Sequence, residues 1–496
     1  MAEYDDLEWA VAQYKPSERM RRYSLYWNYY EGNHRLAFAT DKFKESFGNL
    51  FREFAENSCP AVVDSLVDRL KLLGFRSSDA VLEQKEVPSV IPGMPGRKRT
   101  LIVDDHGQMA WDIWTRNRMD LRSKDVHREA TIMGDAYVLV WPNDDGTAGI
   151  WPQIANEVSV QYDPNQQGVV YRASKKWFDG IAGVWRINVF TQDSVCKYES
   201  KTTSHFFPEQ ATDFVLTDEI ANPYMRVPVF HFARGAENSF GRSDLKDVIP
   251  IQDALNKAVM DMLIAMEFAS FKQRYIIGME VDLDEETGQP RDATMQSYGV
   301  DRMMAIPNED AKVGQFDATD LGQFLRVQEK FWASIARVSG TPLHYFFITE
   351  GDFPSGEAQK AAEARFSTRI EDSQVAWGNR WEDVILFAHE IEHGEVEGLE
   401  YSSIWSNATP RSESELADTA IKKKAIGFSR SYLLREFGLS DEEVDEMLEE
   451  TDSEAMQKFA LQQMSQEADS QGEQTPGAQQ PSNAQPTGEN TRGVRQ

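Results

Sequence analysis

The chain has 496 residues, a formal net charge of −29 at pH 7 and 41% hydrophobic residues, which is enough apolar side chain for a folded core. The acidic balance excludes an ordinary DNA-binding protein, which needs Lys and Arg to displace the counterions of phosphate. Two cysteines, Cys59 and Cys196, exclude a disulfide framework or a zinc site built from cysteine alone, and their scarcity indicates a reducing cytoplasm.

The large negative charge has two interpretations that composition alone does not separate. One is that the charge keeps the protein in solution. The other is a surface that must touch a polyanion without adhering to it.

Neither an export signal nor a membrane segment is predicted. The acidic first residues lack the apolar core of a signal peptide. The most apolar run, 258–271, contains Asp261 and Glu267, whereas a spanning helix needs about 20 predominantly apolar residues.

The first 235 residues predict an α+β domain. Helical spacing of the apolar residues predicts three helices, over 4–30, 57–73 and 104–127. The Pro- and Gly-rich stretch 84–100 predicts a loop, with Arg97, Lys98 and Arg99 at its solvated tip. After Gly134 the apolar period changes to two, which predicts the strands of a mostly antiparallel sheet, over 137–141, 158–162, 169–173 and 184–189, with more to about Phe232.

Residues 243–394 are the stretch around which the rest of the chain is organised. Apolar stripes at helical spacing predict helices over 250–272 and from about Asp320 to 339, with a small β-containing insert at 273–317 between them. A loop at 341–358 leads to a third helix that runs to about His393. Because so long a helix has too little neighbouring chain to bury it, contacts between subunits are expected.

The remaining sequence predicts smaller elements and a tail. A strand is predicted within 399–409, followed by helices over 413–427 and 430–437 and an acidic helix over about 440–466. The residues from about 467 are rich in Gln, Pro, Ser and Gly, a composition typical of disorder.

One string has the form of a catalytic motif. His389-Glu390-Ile391-Glu392-His393 places two imidazoles on one helix face, where they could hold zinc with Glu390 as general base. However, Gly394 ends the helix directly after the second histidine, and no further histidine follows at the spacing of extended zinc-protease motifs. We therefore interpret the string as a solvated helix end and keep a zinc metalloprotease as an alternative.

No other motif indicates an enzyme. The sequence has neither the G-x-x-x-x-G-K-[ST] string of a P-loop nor the G-x-S-x-G string of an α/β-hydrolase, so no cofactor is expected. The pairs Asp104-Asp105 and Asp144-Asp145 predict a helix cap and a turn rather than a metal site.

The loop 341–358 carries four adjacent bulky residues, His344, Tyr345, Phe346 and Phe347. One interpretation is a buried aromatic cluster that joins two helices. The other is a mobile loop that projects toward another molecule. Ser355 is predicted to cap the helix that follows.

The ordered set of these segments resembles the portal (head-to-tail connector) proteins of tailed bacteriophages, in the branch common among long-tailed phages of actinobacteria. The resemblance covers nearly all of residues 10–450. It rests on WNYYEGNH at 27–34, NSCPAVVDSLVDRLKLLGF at 57–75, HREATIMGDAYVLVW at 127–141, GRSDLKDVIPIQDALNKAV at 241–259, SGTPLHYF at 339–346 and PSGEAQKAAEARF at 354–366. The chain departs from the family's pattern at Gln359-Lys360, where such portals often have Leu-Arg or Leu-Lys.

The resemblance implies the portal fold, which is α+β and ring-forming, with an antiparallel-sheet wing, a helical stem, a small β-containing clip, a long wing helix and a helical crown. The implied domains are a wing at 1–242, stem helices at 243–272 and 319–339, a clip at 273–318, a tunnel loop at 340–357, the long wing helix with its return strand at 358–409, a crown at 410–466 and a disordered tail at 467–496.

The resemblance also implies a non-enzymatic, ring-forming channel, typically a dodecamer, which lies at one vertex of the virion capsid and is assembled in the host cytoplasm. Such a ring nucleates the head, contacts the major capsid and scaffolding proteins, docks the terminase large subunit, passes double-stranded DNA with weak non-specific contacts, and holds the head–tail adaptor. No membrane is involved. The residues implied to face DNA are His344, Tyr345, Phe346, Phe347, Ser355 and Gly356.

Two alternatives stay open from the sequence. The first is a zinc metalloprotease that uses His389, Glu390 and His393. The second is a structural or scaffolding protein that forms no channel.

Overall fold

The structure is a computed structural model. It describes residues 2–15, 17–38, 41, 45, 55–87, 97–235, 239–270, 274–277, 286, 303–306, 312–315, 322–346, 356–395, 397–409, 413–426, 433–434, 444 and 447–448. The chain divides into two compact units, one made of residues 1–82 and 102–410 and the other of residues 83–101 and 411–496.

Two helices, α1 (Ala2–Gln13) and α2 (Glu18–Tyr30), replace the single helix predicted over 4–30, so that prediction was wrong. Ser17 has extended backbone, and its hydroxyl accepts a hydrogen bond from the amide of Met20 at 3.3 Å, which caps α2. The sequence explains the break, because Pro16 has no amide hydrogen with which to continue a helix.

The segment predicted as one helix over 57–73 is a shorter helix, α3 (Cys59–Val67), followed by a strand, β1 (Leu72–Ser77). Gly74 lies inside β1, next to an irregularity in its pairing with the strand Tyr401–Trp405. The prediction followed the apolar face of Val62, Val63 and Leu66, which does end near Val67.

The prediction of a loop over 84–100 was wrong at both ends of that range. Strands β2 (Val81–Val87) and β3 (Arg97–Val103) pair with each other, so Arg97, Lys98 and Arg99 begin a strand. The prolines and glycines that suggested a loop all lie within 88–96, whereas Thr100–Val103 is rich in the β-branched residues that favour strands.

Two helices, α4 (Asp105–Arg116) and α5 (Met119–Met133), also replace the helix predicted over 104–127. Arg118 between them has a left-handed backbone with a φ of 54°, which an α-helix does not contain. Asp104 caps α4 as predicted, because its carboxylate accepts a hydrogen bond from the amide of Gly107 at 2.7 Å.

The prediction of antiparallel strands between 134 and 232 is confirmed. Those strands are β4 (Asp135–Pro142), β5 (Ala148–Gln153), β6 (Val158–Tyr162), β7 (Val170–Asp179), β8 (Val184–Phe190), β9 (Ser194–Ser200), β10 (Phe214–Ala221) and β11 (Val229–Ala233). They form a three-stranded sheet in the order β11-β4-β5 and a five-stranded sheet in the order β10-β9-β8-β7-β6, and every pairing in both is antiparallel.

The central stretch has the predicted order of helix, β-containing insert, helix and long helix. Its elements and the two that follow are α6 (Ile249–Ser270), β12 (Arg274–Ile277), β13 (Met303–Ile306), β14 (Lys312–Gln315), α7 (Gly322–Ser339), α8 (Gly356–His393), β15 (Tyr401–Trp405) and α9 (Glu413–Ile426). Strand β12 is parallel to β13 and antiparallel to β14, and β15 pairs with β1. Asp320 lies outside the described residues, as do the tail and most of the helices predicted after 427.

The long helix α8 forms the centre of the largest hydrophobic core. Its Trp377 and Trp381 are fully buried in this core, where Trp381 packs against Trp114 of α4 and Phe232 of β11. A second core joins α2, α3 and α6, and a third lies between α1 and the five-stranded sheet. Within the described ranges, no helix combines the length and the apolar character needed to cross a bilayer.

Candidate functional site

The candidate site is the place where α7 ends and the predicted tunnel loop begins. Gly340, directly after α7, has a positive φ of 71°, and a Cβ there would lie 3.2 Å from Cδ of Arg369 on α8. Both the left-handed backbone and the close approach of the Arg369 side chain favour glycine at this position. A single 3-10 turn, Leu343–Tyr345, follows, and the described chain continues to Phe346 and resumes at Gly356.

The first residues of the loop are held by Glu363 of α8. His344 Nε2 lies 3.3 Å from one carboxylate oxygen of Glu363, and Arg69 donates to the other at 3.2 Å. Arg69 also donates to the hydroxyl of Tyr345, and burial raises the pKa of that hydroxyl. The ring of Tyr345 packs 5.9 Å from that of Phe366. This group, Arg69, His344, Tyr345 and Glu363, is called the Glu363 cluster below.

The six residues predicted to face DNA have different positions. His344 and Tyr345 belong to the Glu363 cluster, and Phe346 is partly buried against the core that contains α6. Gly356 is the first residue of α8. Phe347 and Ser355 lie outside the described residues. The side chains that are described therefore hold the start of the loop against the chain's own helices.

A second cluster, centred on Asp244, lies near the end of α7 and joins the segments next to β11 and α6 to the helices α7 and α8. The carboxylate of Asp244, just before α6, accepts hydrogen bonds from Arg234 after β11 at 3.2 Å and from Arg369 of α8 at 2.7 Å. Arg369 also donates to the carbonyl of Ser339, the last residue of α7. Burial lowers the pKa of Arg369, and the charge of Asp244 opposes that effect. The chain before α6 and the end of α7 are thus both tied to Arg369 of α8, and the group of Asp244, Arg234 and Arg369 is called the Asp244 cluster.

Buried polar side chains near the start of α6 were missed by the sequence analysis. Gln252, Asp253 and Asn256 are each at most 2% exposed. Asp253 accepts from the hydroxyl of Tyr29 and from Arg35 at 3.3 Å, and Asn256 lies 2.7 Å from His34. The sequence does contain an indication of this cluster, because these three polar residues interrupt the apolar face of α6 in its first turns.

The H-E-x-x-H string lies at a helix end, as predicted, but the prediction that this end is solvated was wrong for His389, and two of its residues make other contacts. His389 is buried, its Nδ1 lies 3.0 Å from the hydroxyl of Tyr401, and burial lowers its pKa to about 4. Glu390 forms an ion pair with Arg226, so it is not positioned as a free general base. The helix ends at Gly394, which has a φ of 85°. Over the described part of the chain, no three His, Cys, Asp or Glu residues are arranged to hold a metal ion.

Comparison with known proteins gives a match to one family and matches to two individual proteins. A family model described as "Phage portal protein, SPP1 Gp6-like" matches residues 15–457. The portal protein of Mycobacterium phage D29 is 23% identical over 422 residues, which cover 80% of this chain and 79% of that protein. The portal protein of Mycobacterium phage L5 is 22% identical over 411 residues, with the same coverage of both chains.

Proposed function

Because the chain belongs to the SPP1 Gp6-like family of phage portal proteins, we propose that it assembles into a closed ring, most simply a dodecamer, at one vertex of a phage head. Members of this family are structural components of the virion, and function as a portal protein follows from the match over residues 15–457. That match is the observation that carries the proposal. Assembly in the host cytoplasm, before DNA enters the head, is part of it.

The proposed ring conducts double-stranded DNA and connects the head to its partners. We assign it contacts with the major capsid and scaffolding proteins, the terminase large subunit and the head–tail adaptor. The absence of a P-loop string from the sequence supports a separate packaging ATPase. The proposal includes no catalytic activity of the chain itself.

The order of elements supports assigning the portal subdomains to this chain. In the proposed assignment, α6 and α7 are the stem, strands β12, β13 and β14 belong to the clip, and α8 is the long wing helix. Residues up to 242 form the wing and residues 410–466 the crown. Residues 340–357 form the tunnel loop, and the Glu363 and Asp244 clusters hold its first turn to α8.

The net charge supports weak contact between the ring and DNA. A chain with a charge of −29 offers few cations to displace phosphate counterions, so a duplex would pass without tight binding. We propose that the tunnel loop makes the few contacts that occur. Because Tyr345 is held by Arg69, the DNA-facing part in this proposal begins after Phe346.

The test is replacement of residues 347–355 by a Gly-Ser segment of equal length, in the phage that encodes the chain. We expect rings to assemble as before and DNA-filled heads to become rare, measured as nuclease-protected DNA per head. The matched control replaces the surface turn 163–168 in the same way and leaves packaging unchanged. Normal packaging after the loop replacement would contradict the assigned role of the loop.

A further inference from the structure

Helix α7 exposes a basic face. Arg326, Lys330 and Arg337 are all exposed, and their spacing of i, i+4 and i+11 places them along one side of the helix over about 16 Å. Glu329 is the single acidic residue of this helix. Arg365 of α8 donates to the carbonyl of Arg337 at 3.4 Å and extends the positive charge. The basic face of α7 is thus locally positive in a chain whose net charge is −29.

Exposed apolar side chains flank the basic face on both sides. Leu325 is 54% exposed, Val327 is 41% exposed and Val338 is 39% exposed. A phosphate backbone offers nothing that would bury such groups, because its contacts are made by cations and polar donors. A protein surface with both acidic and apolar side chains would neutralise the cations and cover the apolar flanks together.

Helix α8 of the same chain exposes a face of that kind. Glu371 and Asp372 are both exposed, and Val375, one turn further on, is 66% exposed. Thr368 and Ala376 are exposed beside them and are small enough for another helix to approach closely. The chain therefore carries two different surfaces that are complementary in charge and both partly apolar.

We propose that the basic face of α7 in one subunit docks against the acidic face of α8, around Glu371, Asp372 and Val375, in the next subunit. Two distinct complementary surfaces make a heterologous contact, and repetition of such a contact around an axis closes a ring. The inference rests on the proposed ring and specifies which surfaces form it. The occupant of the basic face is thus a second copy of this chain.

The test is charge reversal on each face, separately and together. Lys330→Glu with Arg337→Glu places like charges against the acidic face, and we expect it to weaken ring formation about tenfold or more. Glu371→Lys with Asp372→Lys has the same effect from the other side. The four substitutions combined restore rings, because the charges are again opposite. Arg122→Glu, at an exposed position of α5, is the control and leaves assembly intact.

Ring formation is measured as the mass of the purified assembly, and the melting temperature of each variant confirms that it folds. A ring that survives both reversals overturns the interface while the proposed portal ring stands. If the two single-face variants fold but do not assemble, and the combined variant does not assemble either, the pairing of these two faces is overturned. If the variant Lys330→Glu with Arg337→Glu forms normal rings but these rings no longer retain DNA, the basic face contacts nucleic acid and not a second subunit. A wild-type chain that stays monomeric overturns both the ring and the interface.

Discussion

At the scale of single residues, His127 shows how a polar group is accommodated in the main core. Its ring is fully buried, stacks 4.9 Å from Trp377, and accepts a hydrogen bond at Nε2 from Nε1 of Trp381 at 2.9 Å. The proton then resides on Nδ1, for which the described part of the chain provides no hydrogen-bond partner. Burial lowers the pKa of His127 from 6.5 to about 3, because an imidazolium would be a buried charge without a counterion.

This pKa predicts a loss of stability in acid. Between pH 6.5 and about 3 the unfolded chain binds a proton at His127 and the folded chain does not, so the free energy of unfolding falls as the pH falls through that window. The expected slope from this residue is about 1.4 kcal/mol per pH unit. His389, with a pKa lowered to about 4, adds a similar effect over a narrower range.

His127→Phe tests that prediction by denaturant unfolding at several pH values. At pH 7 the variant loses about 1–3 kcal/mol, because Nε1 of Trp381 has lost its acceptor. Below pH 6.5 its stability falls less steeply than that of the wild type. His205→Phe, at a surface position, is the control and keeps the wild-type slope. Parallel curves for the wild type and His127→Phe would rule out the assigned role of His127.

The H-E-x-x-H string gives a second prediction at this scale. Since Glu390 is paired with Arg226 and His389 with Tyr401, the purified chain should bind no stoichiometric zinc, and His389→Gln should not change its metal content. Elemental analysis after dialysis measures this directly. One zinc per chain that disappears with His389→Gln would revive the metalloprotease alternative.

At the scale of elements, the partly buried carboxylate of Asp244 joins the chain before α6 to Arg369 of α8. The side chains of Asp244, Arg234 and Arg369 are between 13% and 19% exposed, so removal of the carboxylate leaves two poorly solvated cations next to each other. The attachment of the chain before α6 to α8 therefore depends on the charge of Asp244.

Asp244→Asn should destabilise the fold by about 3 kcal/mol, since breaking one side of a buried ion pair leaves the other side uncompensated. The matched control is Asp247→Asn, three residues away, whose partner Arg242 is largely exposed. That change should cost less than about 1 kcal/mol. Equal losses for the two variants in chemical denaturation would show that Asp244 has no special role.

The Glu363 cluster predicts energetic coupling between the start of the loop and α8. In a double-mutant cycle of Arg69→Met and Glu363→Gln, the coupling free energy should be about 1–3 kcal/mol, because both side chains are mostly buried. The exposed pair Arg22 and Glu18 of α2, treated in the same way, should give about 0.3–0.5 kcal/mol. A coupling for Arg69 and Glu363 no larger than this control would mean that the cluster does not hold the loop.

Sequence patterns predicted most elements of this fold but not where several of them end. The period-two strands after Gly134 and the long stripes of α6, α7 and α8 were predicted correctly, because one face of each is buried. The break between α1 and α2 could have been predicted from Pro16, whereas the break at Arg118 is a backbone conformation that side-chain periodicity does not report. The Glu363 and Asp244 clusters could not be predicted either, since they join residues far apart in the chain, such as Arg69 and Glu363.

At the scale of the whole molecule, the charge and the central helices are explained together by a portal ring. A strongly acidic surface suits a protein that passes DNA without binding it tightly, which was one of the two interpretations left open by composition. The exposed faces of α7 and α8 are then the surfaces through which neighbouring subunits meet in our proposal. Weak DNA binding and strong self-association are the pair of properties expected of such a chain.

The measurement that tests the central claim most directly is electron microscopy of the purified chain, with the mass of the particles measured in parallel. The account predicts closed rings, most simply dodecamers, with a central opening wide enough for a DNA duplex. A chain that stays monomeric at every concentration, or that forms open filaments or closed particles without an opening, would contradict it.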